Sequence, residues 1–511
     1  MTHRTILLNN FSNVAKLVFY ILVSFFMTPF YVHTLGVTLY GIWAMVLSVV
    51  GYMTLMDFGM QNAVMKYIAE CEGKEDKEGL SEIIISALVF YSLIAIVGSS
   101  FLIIFVFQGL PLLRVDPYHF SIVKWVLLIM GIDMLLVFPG TVFQGALTGM
   151  QLFYVTNSIS IVVNFIKAVM IYLALSRSHG LIEMALIILL MNLLEYGIFF
   201  ALVKWRYRLF PIRRSHFSPA RLKQMMSFSI KSFLVIISRR ISLSSDSLMI
   251  GYFMSAAWVP FYTIPANLIN YTRTLLWSLT QSFLPLFSQL EAKGNIEEIR
   301  SIYMRYTRYT CLCLFPILVF LLIFGEPFLR IWMGIEFAEK GRYVILFLTL
   351  SLFFSAINPL GGRLLTGTSR QGILVWTGFT SAFIFVGLGA LLIRTHGLTG
   401  LAIAFMAGSL IPSVFVLGSS VLAINVSLKD YIRDGLFPAL MPASITLVLL
   451  WVIKGIHYPL GYLELTLQAG AGVLMFAVAG YIIALTLEEK LFVNNIAKGL
   501  YRFGMPTHWK L

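Results

Sequence analysis

Three arginines interrupt apolar runs: Arg239 and Arg240 midway along 226–253, and Arg273 near the middle of 258–284. A guanidinium fork binds phosphate oxygens two at a time. Three such forks in adjacent runs suit a phosphorylated anion. Around Arg273, residues Asn267, Asn270, Tyr271, Thr274, Ser278 and Gln281 recur at steps of three and four, a polar stripe on one helix face. Arg239 and Asp246 are seven apart and share a face, with Ser238, Ser242 and Ser245 adding polarity. A plainer alternative stays open, in which Arg239 and Arg240 pair with Asp246 or Glu195 and pin helices together. Lys231 and Arg363 lie nearer the ends of their runs, where long side chains snorkel.

The first half of the chain has the opposite bias. Asp133 and Glu195 fall mid-run in 121–147 and 182–204, and Lys167 falls in 152–176. A carboxylate taken out of water holds a proton more readily. Asp133, Glu195 and Asp246 are therefore candidates for a coupling-ion site, and a static ion pair with Lys167 is the competing reading. No cofactor is expected beyond a coupled H+ or Na+. Asp57 lies at the end of its run, where a helix-end hydrogen bond is the simpler role.

The elements that position these residues must cross lipid. Of 511 residues, 59% are hydrophobic and 12% charged, against roughly 25% charged in a soluble domain. The apolar runs are about 20 residues long, the thickness of a hydrocarbon core. Backbone groups in lipid must be satisfied within the segment, so the runs are helices; a barrel would alternate in segments of ~10 residues. The expectation is an all-α integral membrane protein with about fourteen spans. They fall near 14–34, 38–62, 81–107, 121–147, 152–176, 182–204, 226–253, 258–284, 309–330, 342–365, 372–393, 398–424, 435–454 and 463–486. The run from Val14 lacks a small-residue cleavage site and reads as a span rather than a removed signal. The three cysteines form neither a disulfide framework nor a metal site.

Loop charges orient the spans. Lys66, Lys74, Lys77, the cluster from Lys204 to Lys223, Lys293, Arg300, Arg305, Arg308 and the C-terminal tail fall on one side. The other side receives Arg114, Lys124, Arg177, Arg330, Lys340, Arg342, Arg394 and Lys454. Basic loops stay inside, so both termini are expected in the cytoplasm. The net charge of +14 then serves topology and anionic lipid. It does not imply nucleic acid, because no basic domain stands apart from the spans.

The chain also repeats itself. Arg177-Ser178-His179-Gly180-Leu181 recurs as Arg394-Thr395-His396-Gly397-Leu398, and Thr148-Gly149 as Thr366-Gly367. Gly41-Ile42-Trp43 sits against Pro260-Phe261-Tyr262, and Glu70-Cys71-Glu72-Gly73 against Glu291-Ala292-Lys293-Gly294, all at a nearly constant offset. Spans 1–6 (residues 1–204) therefore duplicate as spans 7–12 (226–424), joined by a basic linker at 205–225. Residues 425–511 hold spans 13 and 14 and the tail. An even span number per copy gives parallel repeats about an axis along the membrane normal. The equivalent loops 66–82 and 287–308 are charged and helix-compatible, either amphipathic surface elements or solvated connectors. Pro29, Pro139, Pro265, Pro316, Pro359, Pro412 and Pro442 mark the expected bends.

Leu35-Gly36, Tyr40-Gly41-Ile42-Trp43 and Asp57-Phe58-Gly59-Met60-Gln61-Asn62-Ala63, followed by Lys66-Tyr67-Ile68-Ala69-Glu70, resemble the start of polysaccharide-biosynthesis membrane proteins. These are the O-antigen-type lipid-linked oligosaccharide flippases of the multidrug/oligosaccharidyl-lipid/polysaccharide exporter superfamily. Gly145, Thr148-Gly149-Met150-Gln151, Asp246-Ser247-Leu248-Met249-Ile250-Gly251, Tyr262 and Pro285-Leu286-Phe287-Ser288 extend the likeness over spans 1–12. The resemblance implies two six-helix lobes around a cavity, alternating access, and an undecaprenyl-diphosphate-linked glycan as cargo. It marks Asp57, Gly59 and Asn62 as motif residues. It further implies the inner membrane and the polysaccharide polymerase machinery as neighbours.

There is no G-x-x-x-x-G-K-[ST], so ATP is not bound by that motif, and there is no H-E-x-x-H or Gly-rich dinucleotide turn. The expectation is a secondary transporter and not an enzyme. A multidrug exporter would need acidic and aromatic groups for organic cations, which the basic second half disfavours. A peptidoglycan-precursor flippase shares the same physics. A membrane-embedded polysaccharide-assembly enzyme would carry a larger extramembrane loop than this chain has.

Overall fold

The computed structural model describes residues 3–109, 115–206 and 216–491. The side chains of 3–7, 10, 109, 206, 228, 230–232, 234–236 and 238–244 lie outside that description. Among the described residues all regular structure is helical. The chain runs α1 (His3–Met53), α2 (Met60–Gly73), α3 (Lys77–Ile104), α4 (Phe120–Gly149), α5 (Phe153–Ser176), α6 (Leu181–Arg206), α7 (Pro219–Phe253) and α8 (Val259–Thr280). It continues through α9 (Phe283–Ala292), α10 (Ile296–Met333), α11 (Ile335–Ala356), α12 (Gly361–Gly367), α13 (Gly372–Ala423) and α14 (Leu428–Asp430) to α15 (Phe437–Ile456) and α16 (Tyr462–Ile483). Among the described residues nine helices are long and apolar enough to cross a membrane, or up to ten if α11 and α12, bent by 42°, form one span. α7 and α8 are not among them, because their arginines and polar stripes lower their hydropathy.

Starts and stops follow local chemistry. Asp76 caps α3 by accepting the Gly79 N–H at 2.9 Å. Ser218 precedes Pro219 and accepts from the Arg221 N–H, so α7 begins where proline's missing donor is harmless. Asn295 caps α10 through the Glu298 N–H at 3.2 Å. The charged loops expected at 66–82 and 287–308 hold the C-terminal parts of the short helices α2 and α9 and the N-terminal parts of α3 and α10.

Several boundaries depart from expectation. The run 38–62 ends as helix at Met53; a 3-10 turn, Thr54–Asp57, and left-handed Phe58 and Gly59 separate it from α2. Gln281 stands in a turn beyond the last residue of α8 and not on its stripe. Two sharp interruptions fall at glycines in the gaps expected at 35–37 and 394–397, and the 42° bend between α11 and α12 falls at Pro359. Gly36 breaks α1 with φ 78° and ψ 162°, and Gly397 breaks α13 with φ 56° and ψ −136°. Such angles are open to glycine and closed to most residues. A straight helix of 51 residues would run about 76 Å, more than twice a core of ~30 Å, so α1 must break if it enters lipid.

Cα packing separates two compact units: Met1–Ile264 with Phe385–Leu401, and Pro265–Ile384 with Ala402–Leu511. They follow contacts rather than sequence repetition, and the repeat boundaries remain a proposal. In the first unit α4 packs on α3, α6 and α2, α1 on α5, and α7 on α1 and α2. In the second, α10 packs on α11, α15 and α16, and α9 on α12. Outward faces are apolar: Phe26, Leu93, Phe165, Phe383 and Leu474 each expose more than half their surface, as lipid-facing side chains do.

Broken helices free carbonyls, and side chains take them. Pro327 has no N–H for the Ile323 carbonyl, and Lys454 Nζ donates to it at 2.8 Å. At the break after α11, the Ile357 carbonyl accepts the Tyr431 hydroxyl at 2.7 Å and the Ala356 carbonyl the Cys311 thiol at 3.4 Å. Tyr303 donates to Asn358 Oδ1 at 2.5 Å beside them.

Two glycines matched in the sequence, Gly149 and Gly367, make similar close approaches. A Cβ on Gly149 would meet the Met65 carbonyl of α2 at 2.8 Å, and one on Gly367 the Phe287 Cβ of α9 at 2.9 Å. Tightest of all, a Cβ on Gly41 would lie 1.8 Å from the Ala256 carbonyl oxygen. Gly41→Ala should therefore lower the thermal midpoint in detergent, by a loss of about 1–3 kcal/mol from overpacking. Gly73→Ala, with nothing within 4 Å of the new methyl, should leave it unchanged or raise it. Equal midpoints for the two variants would contradict the packing described.

Candidate functional site

The first unit holds a polar seam among otherwise apolar helices. On α5, Asn157, Ser160, Asn164 and Lys167 follow each other at steps of three and four, which is one face. They meet Ser12, Asn13 and Tyr20 of α1, and Asn9 of α1 bonds the start of α5. Asn157 donates to Ser12 Oγ at 3.0 Å and Asn13 Oδ1 at 2.7 Å. Asn9 donates to the Gln151 carbonyl at 2.9 Å and accepts the Tyr154 N–H at 3.1 Å. Asn164 donates to the Tyr20 hydroxyl at 2.7 Å and to the Ser160 carbonyl at 2.8 Å.

Two expected residues, Asp133 and Glu195, join this seam. Asp133 on α4 is buried, and the Asn192 amide of α6 reaches both its oxygens at 3.0 Å. Glu195, one turn further along α6, is buried and accepts the Ser160 hydroxyl at 2.6 Å. Lys167 acts electrostatically on both carboxylates, and Lys16 on Glu195. Among the described residues no nitrogen of Lys167 comes within 4.0 Å of either carboxylate, so the static ion pair is not formed in this arrangement. Gly140 makes room for the next residue along: a Cβ there would meet the Tyr196 ring at 2.4 Å. Two ammonium groups and two carboxylates thus share one membrane-depth region, held by hydroxyl and amide donors. This arrangement can bind a small cation, exchange a proton, or present hydrogen bonds to a polar solute.

The second unit holds Arg273. Its Nη1 donates to Asn270 Oδ1 at 3.4 Å, and its guanidinium lies 5.5 Å from the Phe405 ring centre. Thr274 bonds back to the Asn270 carbonyl at 2.8 Å. Asn267 and Ser278 are half-buried on the same stripe, and Gln281 is exposed beyond it. Arg363 does more than snorkel: Nη2 donates to the Trp277 carbonyl at 3.3 Å and Nε to the Thr280 hydroxyl at 3.4 Å. It docks on the C-terminal turn of α8, where the helix dipole favours a cation. The side chains of Lys231, Arg239 and Arg240 lie outside the described residues. Asp246 accepts the Ser247 N–H at 2.7 Å.

Asp57 takes the helix-end role. It accepts the Tyr91 hydroxyl and faces the backbone of Gly59 and Gln61 at the entry to α2. Gly59 has φ 75° there, so its place in the motif is a turn requirement. Asn62 is exposed on the first turns of α2, and its N–H bonds to the Gly59 carbonyl at 3.2 Å.

The α1–α5 seam was missed in the sequence. Its signal was available, because Asn157, Ser160, Asn164 and Lys167 repeat with the spacing that singled out the α8 stripe.

A family model described as "Polysaccharide biosynthesis protein" matches residues 7–291. The chain is 23% identical over 401 residues to the "Uncharacterized membrane protein EpsK" of Bacillus subtilis (strain 168), covering 75% of this chain and 74% of that one. It is 20% identical over 381 residues to a "Putative O-antigen transporter" of Shigella flexneri, covering 73% and 87%. Among solved structures, "Lipid II flippase MurJ, inward closed conformation" superposes with a TM-score of 0.71 at 13% identity, covering 93% of this chain and 98% of that one.

Asn192→Leu should strip Asp133 of its amide donor and destabilise the protein by about 1–3 kcal/mol. Asp133→Leu combined with Asn192→Leu should recover part of that loss, as read from detergent unfolding midpoints. Additive losses would show that the pair is not coupled.

Proposed function

Because the chain belongs to the polysaccharide biosynthesis protein family, we propose that it carries a polyprenyl-diphosphate-linked oligosaccharide across the cytoplasmic membrane for surface-polysaccharide assembly. It does so as a secondary transporter, by alternating access. The observation that carries this reading is the polar seam of α1, α5 and α6 inside helices whose outer faces are apolar. A glycan must cross through protein-lined polar surface while the polyprenyl tail stays in lipid. Charged groups at membrane depth cost about 2.5–3.5 kcal/mol each on insertion scales, and a bundle that only had to fold would not need four of them together.

In this reading Arg239, Arg240 and Arg273 hold the diphosphate, and Asn267, Asn270, Thr274, Ser278 and Gln281 line the glycan path. Asp133 and Glu195, with Asp246, exchange the coupling H+ or Na+. The ten apolar candidates become fourteen spans when α1 and α13, each broken at a glycine, count twice and α7 and α8 are added. Both termini are then cytoplasmic. The matching seats of Gly149 on α2 and Gly367 on α9 support the six-plus-six repeat. The flipped product is handed to the polymerase machinery.

The test is transbilayer movement of a fluorescent undecaprenyl-diphosphate oligosaccharide in liposomes holding the purified protein. Wild type should move it. Arg273→Ala, Arg239→Ala and Arg240→Ala should each slow it at least tenfold, a loss of about 1.4 kcal/mol. Glu195→Gln should abolish the response to an imposed ion gradient while leaving slow equilibration. No movement by wild type under any gradient, across several glycans, would refute the assignment.

A further inference from the structure

Where α10 leaves its charged first turns, a pocket of about 740 Å³ opens between it and the segment after α16. Arg305, Arg308 and Tyr309 line one wall, and residues 485–489 the other. Arg305 and Arg308 are three apart on one helix face, so both guanidinium groups reach the same space. Arg305 is exposed. Arg308 is 13% exposed and meets Glu489 Oε1, which also accepts the Tyr309 hydroxyl. The other Glu489 oxygen takes the Thr486 N–H at 2.8 Å. Burial pushes the Glu489 carboxyl up, but these hydrogen bonds and the charge of Arg308 outweigh it and hold the group below the usual carboxylate range.

The carboxylate does not exhaust the donors around it. Arg308 Nε is buried without a hydrogen-bond partner among the described residues, although a guanidinium commonly presents Nε and an Nη together to a two-oxygen anion. Beyond the pocket, 492–511 carry Lys498, Arg502, His508 and Lys510 and no Asp or Glu, so the following sequence adds no acidic side chain. Immediately C-terminal to Arg308, α10 enters the apolar stretch from Cys311, which places the pocket at headgroup depth if α10 spans the bilayer.

We propose that this pocket is a phosphate-binding site, with Arg305 and Arg308 as its cations and the Tyr309 hydroxyl as a neutral donor. Glu489 occupies the anion position and competes with the phosphate for Arg308. The phosphate group belongs to an anionic lipid headgroup or to a soluble phosphate ester, and the site is separate from the residues assigned to the cargo.

The experiment titrates full-length protein in detergent micelles with phosphatidylglycerol, and separately with phosphatidylcholine, by native mass spectrometry. Phosphatidylglycerol should bind more tightly. Arg305→Gln should weaken it about fivefold, and Glu489→Gln should strengthen it by removing the competitor. Lys293→Gln makes the same change in net charge away from the pocket and should leave it unaltered. Competition by millimolar inorganic phosphate would assign the site to soluble phosphates; its failure to compete would assign the site to a headgroup. Equal binding of the two lipids, or equal effects of Arg305→Gln and Lys293→Gln, would overturn the proposal.

Discussion

A peptide N–H or C=O carried into hydrocarbon without a partner costs several kcal/mol, so a chain that enters lipid repeatedly must do so as helix and must repair every break. The repairs are visible one by one. Lys454 serves the Ile323 carbonyl that Pro327 leaves unpaired. Tyr431 and Cys311 serve the carbonyls at the end of α11, and Arg363 serves the last turn of α8. These side chains come from other helices of the same unit, so satisfying the backbone is also what fastens the helices to one another.

The same constraint governs side chains. Asp133, Glu195, Lys16 and Lys167 could have been avoided by an apolar sequence. Their charges are accommodated by short-range donors, Asn192 and Ser160, and by mutual electrostatics rather than by direct ion pairs. A region balanced in this way can exchange a proton, a cation or a solute hydrogen bond at little net cost, whereas a closed ion pair resists all three. Lys454 and Glu326, 3.6 Å apart, form such a closed pair.

Close packing allows the polar face to be shared. Gly41, Gly140, Gly149 and Gly367 each sit where a methyl group would strike a neighbouring helix. Small residues let backbones approach, and in lipid that contact replaces the hydrophobic effect as the source of association. Two of the four, Gly149 and Gly367, are matched Thr-Gly positions in the sequence and seat against α2 and α9.

The sequence by itself determined the membrane class, the helical state and nearly all the helix positions, because run length and hydropathy are local properties. Two interruptions were legible as well: Gly36 and Gly397, which lie in the gaps between expected spans, adopt the non-helical angles, and Pro359 lies in the 42° break between α11 and α12. A glycine permits angles closed to most residues, whereas a proline inside a spanning helix can be absorbed by a donor from elsewhere. The charged residues of the first unit were legible singly. Only the tertiary structure decided that Asp133 pairs with Asn192, that Glu195 takes Ser160, and that Lys16 and Tyr20 of α1 join residues more than a hundred positions away. Spacing fixes which residues share a face of one helix, and partnership depends on which faces the packing turns toward each other.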